Sequence, residues 1–128
     1  MIYVDTSVAL AELLVEDRKP AAVLWTQPLL ASRLLQYEVW VNLHRRGLAR
    51  SHGDAASDLL SRISIVELIP LVLDRAREPF PTPVRTLDAL HLATIDYLRR
   101  SRVALEVATF DDRMRAALTA MKVPLAAV

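Results

Sequence analysis

Ile2-Tyr3-Val4-Asp5-Thr6-Ser7 opens the chain with a β-prone apolar run that ends on a carboxylate and passes straight into helix-starting residues. Ile, Tyr and Val favour a pleated, half-buried strand, and Thr6 or Ser7 supplies a hydroxyl of the kind that begins a helix. The unit recurs downstream: β-prone runs stand at residues 28–31, 65–69, 103–109 and 124–128, separated by segments of helical periodicity. Further helix starts are marked by Ser32 before residues 33–46, Gly53-Asp54 before residues 55–62 and Thr86 before residues 87–100. Pro79-Phe80-Pro81-Thr82-Pro83 is incompatible with helix and reads as a stiff connection. Strands alternating with helices predict an α/β fold, a three-layer α/β/α sandwich around a mainly parallel sheet of four to five strands. No repeat, low-complexity tract or Gly/Ser linker interrupts it, and Gly47 and Gly53 both read as lying between helical stretches, so a single domain over residues 1–128 is expected.

Composition narrows the class. The chain is 53% hydrophobic, yet no apolar run approaches the roughly 20 residues that cross a bilayer, so no membrane partner is expected. The first residues lack the basic and apolar regions of a secretory leader, and cysteine is absent; both fit a cytoplasmic location. Without cysteine, disulfide frameworks and thiolate metal sites are excluded. A net charge of +1 gives no global positive field, so nucleic acid would be held by local patches. The basic groups Arg45-Arg46, Arg99-Arg100 and Arg113 are the candidates, although arginines at helix ends also complement the helix dipole.

The chemistry lies in the acids. In an open parallel sheet, ligands collect beyond the carboxyl ends of the strands. Asp5 follows the first strand and Asp111 follows the strand at 103–109; each also stands where a helix N-cap would. Glu38 projects from its helix between Leu34 and Asn42, among core-type residues, and Asp88 lies between Ile95 and Leu92 in an apolar arc with Leu87 and Leu98. A carboxylate facing an apolar interior needs a cation or a donor. His91 shares the arc and reads as a hydrogen-bonded core residue before it reads as a ligand. Gathered carboxylates raise one another's pKa, and a divalent ion relieves the conflict. All-oxygen donors select magnesium (Mg²⁺) or Mn²⁺ over zinc, and such ions activate water against phosphodiesters.

These residues resemble the PIN-domain nucleases, and among them the VapC toxins of toxin–antitoxin pairs, over nearly the whole chain. Ile2-Tyr3-Val4-Asp5-Thr6-Ser7 is similar to the family's first acidic motif, with Asp5 as ligand supported by Thr6 and Ser7. Glu38 in Gln36-Tyr37-Glu38-Val39 is similar to the second acid, and Leu87-Asp88-Ala89-Leu90-His91-Leu92-Ala93 to the third motif. Thr109-Phe110-Asp111 matches the fourth, where Asp112 either supplements Asp111 or caps the next helix. The resemblance implies a PIN-like fold and a Mg²⁺-dependent endoribonuclease that leaves a 5′-phosphate and a 3′-hydroxyl. It implies an RNA substrate, a cognate VapB-like antitoxin and a homodimer. Asn42, one turn beyond Glu38, is either a support to the site or a surface hydrogen-bonding residue, and Trp25, Trp40 and Leu43 stand as anchors for a partner or as core.

Two other readings share parts of the pattern. A receiver-type regulatory domain needs an acidic pair near the first strand and a lysine near the last, but Asp5 has no acidic neighbour and the lysines are Lys19 and Lys122. A catalytically silent RNA- or protein-binding module would keep the fold without the full set of four acids. An aspartyl-nucleophile phosphatase would carry Asp where Ser7 stands.

Overall fold

The computed structural model describes residues 1–128. Its strands are β1 (Ile2–Val4), β2 (Leu29–Ser32), β3 (Ile63–Val66) and β4 (Glu106–Ala108), and its helices are α1 (Thr6–Leu14), α2 (Leu34–Arg45), α3 (Ala49–Ser61), α4 (Pro70–Ala76), α5 (Thr86–Arg100) and α6 (Asp112–Ala120). The strands pair in parallel in the order β3-β2-β1-β4. The chain therefore builds outward from β1 on one side, then returns to place β4 on the other. That reversal beside β1 is the switch point at which parallel sheets bind ligands.

Side-chain alternation along the strands fills two layers. Val4, Leu29, Ala31, Ile63 and Ala108 face α1, α2 and α3, where they meet Val8, Leu35, Val39, Leu43, Leu59 and Leu60. Tyr3, Leu30 and Val107 face α5 and α6, where they meet Leu92, Ile95, Met114 and Leu118. The three-layer α/β/α expectation is met, with β1 central because it is buried on both faces.

Several local expectations shift. The strand expected at 65–69 runs Ile63–Val66, since Pro70 opens the unforeseen helix α4 at a position where its missing N–H costs nothing. The run 103–109 contributes only Glu106–Ala108, and the tail 124–128 adds a single parallel bridge from Leu125 to Val107. Gly47, at φ +69°, ends α2 in the left-handed region, but Gly53 lies inside α3, which begins at Ala49. A Cβ at Gly53 would stand 3.4 Å from the Trp40 ring, so the glycine marks where α3 rests on α2. Thr86 is the first residue of α5, with Arg85 at the N-cap. No helix is long and apolar enough to cross a membrane.

Candidate active site

Four acids reach one edge of the sheet by different local rules. Asp5 occupies the N-cap position of α1 with extended backbone, yet its side chain does not cap. Its Oδ2 accepts instead from Ser7 Oγ at 2.6 Å and Thr109 Oγ1 at 2.8 Å. Those hydroxyls also accept, Ser7 Oγ from the Phe110 N–H and Thr109 Oγ1 from the Asp111 N–H, both at 3.0 Å. The pair thus locks the end of β1 to the turn after β4. Asp5 is 5% exposed, and Oδ1 has no protein donor.

Glu38 is held from beneath. Its Oε1 accepts from Thr6 Oγ1 at 2.8 Å and lies 2.6 Å from His91 Nε2. An ionised carboxylate only accepts, so Nε2 carries the proton. The other ring nitrogen, Nδ1, lies 2.7 Å from the Tyr3 hydroxyl, which also accepts the Ser32 N–H at 3.3 Å. Burial, then the charge of Asp5, pushes the Tyr3 hydroxyl well above its ordinary pKa, so it stays protonated. Burial alone would lower the His91 pKa; the hydrogen bond to Glu38 and the charges of Asp5, Glu38 and Asp88 outweigh it and leave the imidazole above its usual value. His91 is thus the hydrogen-bonded core residue expected, but the group it holds is a site acid.

Asp88, in the first turn of α5, lies with Asp111 on either side of one guanidinium. Arg85 Nε donates to Asp88 Oδ2 at 3.3 Å, and Arg85 Nη2 donates to Asp111 Oδ2 at 3.2 Å. Asp111 is also the N-cap of α6, its Oδ1 accepting the N–H groups of Arg113 at 2.9 Å and Met114 at 3.2 Å. Capping therefore occupies one oxygen and leaves the other to Arg85. Burial, aided by the charges of Asp111 and Asp5, keeps the Asp88 carboxyl above its ordinary pKa despite Arg85. Arg85 is itself raised, chiefly by its bond to Asp88.

With Arg85 between Asp88 and Asp111, no three carboxylate or imidazole groups approach a common point closely enough to chelate an ion. The donor set nevertheless suits a hard cation. Asp5 Oδ1, Glu38 Oε2 and Asp88 Oδ1 have no protein donors, and the imidazole nitrogens of His91 are both engaged. Oxygen donors with surplus negative charge fit Mg²⁺ or Mn²⁺.

Other sequence candidates separate. Asn42 spends its amide within α2, donating to the Glu38 carbonyl at 2.9 Å and accepting from Arg45 at 2.8 Å. Asp112 is the first residue of α6 and exposed, beside the cap. Arg99 and Arg100 lie 11 and 12 residues beyond Asp88 on α5, about 17–18 Å along the helix, at the end away from the acids. Arg99 closes the C-terminal turn of α6 through the Met121 and Lys122 carbonyls, and Arg100 pairs with Asp96. Leu43 is fully buried, and Trp25 and Trp40 pack against the core, so Leu43 anchors no partner. An open groove of about 740 Å³ begins at Ser7 and Asp111 and is lined by Leu10, Leu14, Arg18 and Phe110. Arg18 donates to the Phe110 carbonyl at 3.2 Å and lies 5.3 Å over its ring.

Tyr3, Arg85 and Thr109 were absent from the sequence-derived site. Thr109 is two residues from Asp111 within a recognised motif, and Arg85 precedes Asp88 by three, a spacing that brings side chains together at a helix start. Tyr3 carries no such signal, because its role depends on which face of β1 meets His91.

The chain is similar to known proteins in sequence and in fold. Residues 2–117 match the sequence model of the PIN domain. The chain is 38% identical to ribonuclease VapC46 of Mycobacterium tuberculosis over 120 residues, covering 89% of this chain and 87% of the relative. Two solved structures share the fold. One is VapC20 of Mycobacterium tuberculosis, a sarcin-ricin loop cleaving toxin, at TM-score 0.68 and 24% identity, covering 91% of this chain and 95% of that one. The other is a toxin–antitoxin complex from Klebsiella pneumoniae, at TM-score 0.65 and 22% identity, covering 94% of each chain.

Proposed function

We propose, from the premise that this chain belongs to the PIN-domain family and is an endoribonuclease toxin of the VapC type, that it cuts RNA with a divalent cation held by Asp5, Glu38, Asp88 and Asp111. The observation that carries the metal dependence is the gathering of buried and partly buried carboxylates beyond the end of β1. Three carboxylates from separate elements each keep an oxygen free of protein donors there. Mg²⁺, or Mn²⁺ in its place, supplies acidification of water and neutralisation of charge growing on the phosphate.

The chain's own residues set the geometry. Ser7 and Thr109 fix Asp5, while Thr6 and His91 fix Glu38 through Oε1 so that Oε2 is left free for the cation site. Support of this kind matters because small misplacements of reacting groups cost large factors in rate. The groove beside Asp111 offers the RNA strand a path past Arg18 and the Phe110 ring.

A VapB-like antitoxin, a homodimer and a cytoplasmic location complete the proposal. Exposed Tyr37 and Val41 on α2 and Leu71 and Leu73 on α4 supply apolar surface for protein contacts.

Asp5→Asn provides the test. Asparagine can still accept from Ser7 and Thr109 through its oxygen, so the variant is expected to fold with an unchanged far-UV spectrum while RNA cleavage and growth arrest on induction both disappear. EDTA is expected to silence the unaltered protein and Mg²⁺ to restore it. Cleavage by Asp5→Asn in a preparation free of host nuclease would refute the assignment.

A further inference from the structure

Arg85 is the arginine placed inside the acidic cluster, and the site as proposed does not use it. Its guanidinium spans Asp88 and Asp111 through separate nitrogens, and its side chain is 63% exposed, so it reaches in from the rim. It stands at the N-cap of α5, one turn before Asp88, with extended backbone. The flexible side chain can withdraw without moving the helix.

Two further observations define what it does. The groups that should chelate a cation do not converge while Arg85 lies between them. The two Arg85 contacts, at 3.3 Å to Asp88 and 3.2 Å to Asp111, are long for charge-assisted bonds. The arginine is a partial substitute for a stronger cation, held by exposed contacts that are individually weak.

We infer that Arg85 is a counter-ion arm which spans Asp88 and Asp111 when no divalent cation is bound, is displaced by the cation, and then grips a phosphate of the RNA at the mouth of the site. This rests on the proposed metal-dependent cleavage. The consequence is linkage. Cation and guanidinium compete for the same oxygens, so removing the arm tightens cation binding. A displaced guanidinium at the rim has exchanged two carboxylates for solvent, and the RNA backbone offers it a bidentate acceptor. Removing the arm therefore weakens RNA binding. The effects have opposite sign, which a simple packing role for Arg85 would not produce.

The experiment compares the unaltered protein, Arg85→Gln, Arg85→Lys and Asp5→Asn. Mn²⁺ binding is measured by isothermal titration calorimetry without RNA, and KM for a short RNA is measured at saturating Mn²⁺ across salt concentrations. Arg85→Gln is expected to bind Mn²⁺ about three- to tenfold tighter, the scale of two exposed ion pairs lost as competitors. Its KM for RNA should rise, and the salt dependence of binding should weaken by about one phosphate contact. Arg85→Lys should fall between the two in both measurements. Normal folding of the variants is checked by their thermal midpoints in EDTA. Mn²⁺ affinity in Arg85→Gln equal to or weaker than that of the unaltered protein overturns the inference, as does an unchanged KM. Failure of the unaltered protein to bind Mn²⁺, or equal binding by Asp5→Asn, instead overturns the metal site on which it rests.

Discussion

Replacing Tyr3 by phenylalanine tests whether the buried relay beneath Glu38 is a structural unit. Tyr3 is fully buried, and its hydroxyl serves two groups, His91 Nδ1 at 2.7 Å and the Ser32 N–H at 3.3 Å. Removing one oxygen leaves both without partners in an interior packed by Leu30, Leu92 and Ile95. An unsatisfied buried polar group costs about 1–3 kcal/mol. The longer Ser32 contact belongs at the lower end, and the phenyl ring recovers a little by losing a polar atom, so Tyr3→Phe should destabilise by about 2–3 kcal/mol. An unfolding entropy near 2.1 cal/mol/K per residue over 128 residues turns that into a fall in Tm of roughly 7–11 °C. Urea and thermal melts followed by circular dichroism in EDTA measure it free of cation linkage. In a His91→Leu background the same substitution should cost at least about 1 kcal/mol less, since one of the two orphaned partners is already gone. RNA cleavage by Tyr3→Phe should slow by about tenfold, because His91 is no longer fixed in the orientation that holds Glu38. A Tm within about 3 °C of the unaltered protein, or an equal loss in both backgrounds, would refute the reasoning.

Two further substitutions probe other links. Thr109→Val keeps the shape of a buried residue but removes the bonds to Asp5 Oδ2 and the Asp111 N–H. It should lower stability by about 1–3 kcal/mol and weaken Mn²⁺ binding, both read by melts with and without the ion; unchanged Mn²⁺ affinity would show that Asp5 does not depend on this hydroxyl. Gly53→Ala puts a methyl 3.4 Å from the Trp40 ring, an ordinary contact, in the middle of α3. It should stabilise the protein by about 0.5–1 kcal/mol in a urea melt, and destabilisation would mean that α3 cannot yield at Trp40.

The alternation of strands and helices, α4 and the tail apart, was legible in the sequence because burial imposes period two on strands and about 3.6 on helices. Four acids could be singled out because each falls at a strand end or on an apolar helix face, where a carboxylate is costly. Boundaries blurred where local signals compete. Gly53 reads as a break in any window, and only the approach of Trp40 explains a glycine inside α3. Pro70 reads as the end of a strand, yet it opens α4. Asp111 could be read as a cap or as a site acid, and its Oδ1 caps α6 while its Oδ2 accepts from Arg85.

What the linear order of residues determined by itself was the class of fold; it also singled out the four acids to which the proposed hard-cation chemistry is assigned. What tertiary structure alone decided was the company each acid keeps: Ser7 and Thr109 on Asp5, Thr6 and His91 on Glu38, and Arg85 across Asp88 and Asp111. The physical reason is range. Periodicity and capping act over a few residues along the chain, whereas a hydrogen bond between Tyr3 and His91 joins positions 88 apart and exists only once the sheet has set β1 against α5.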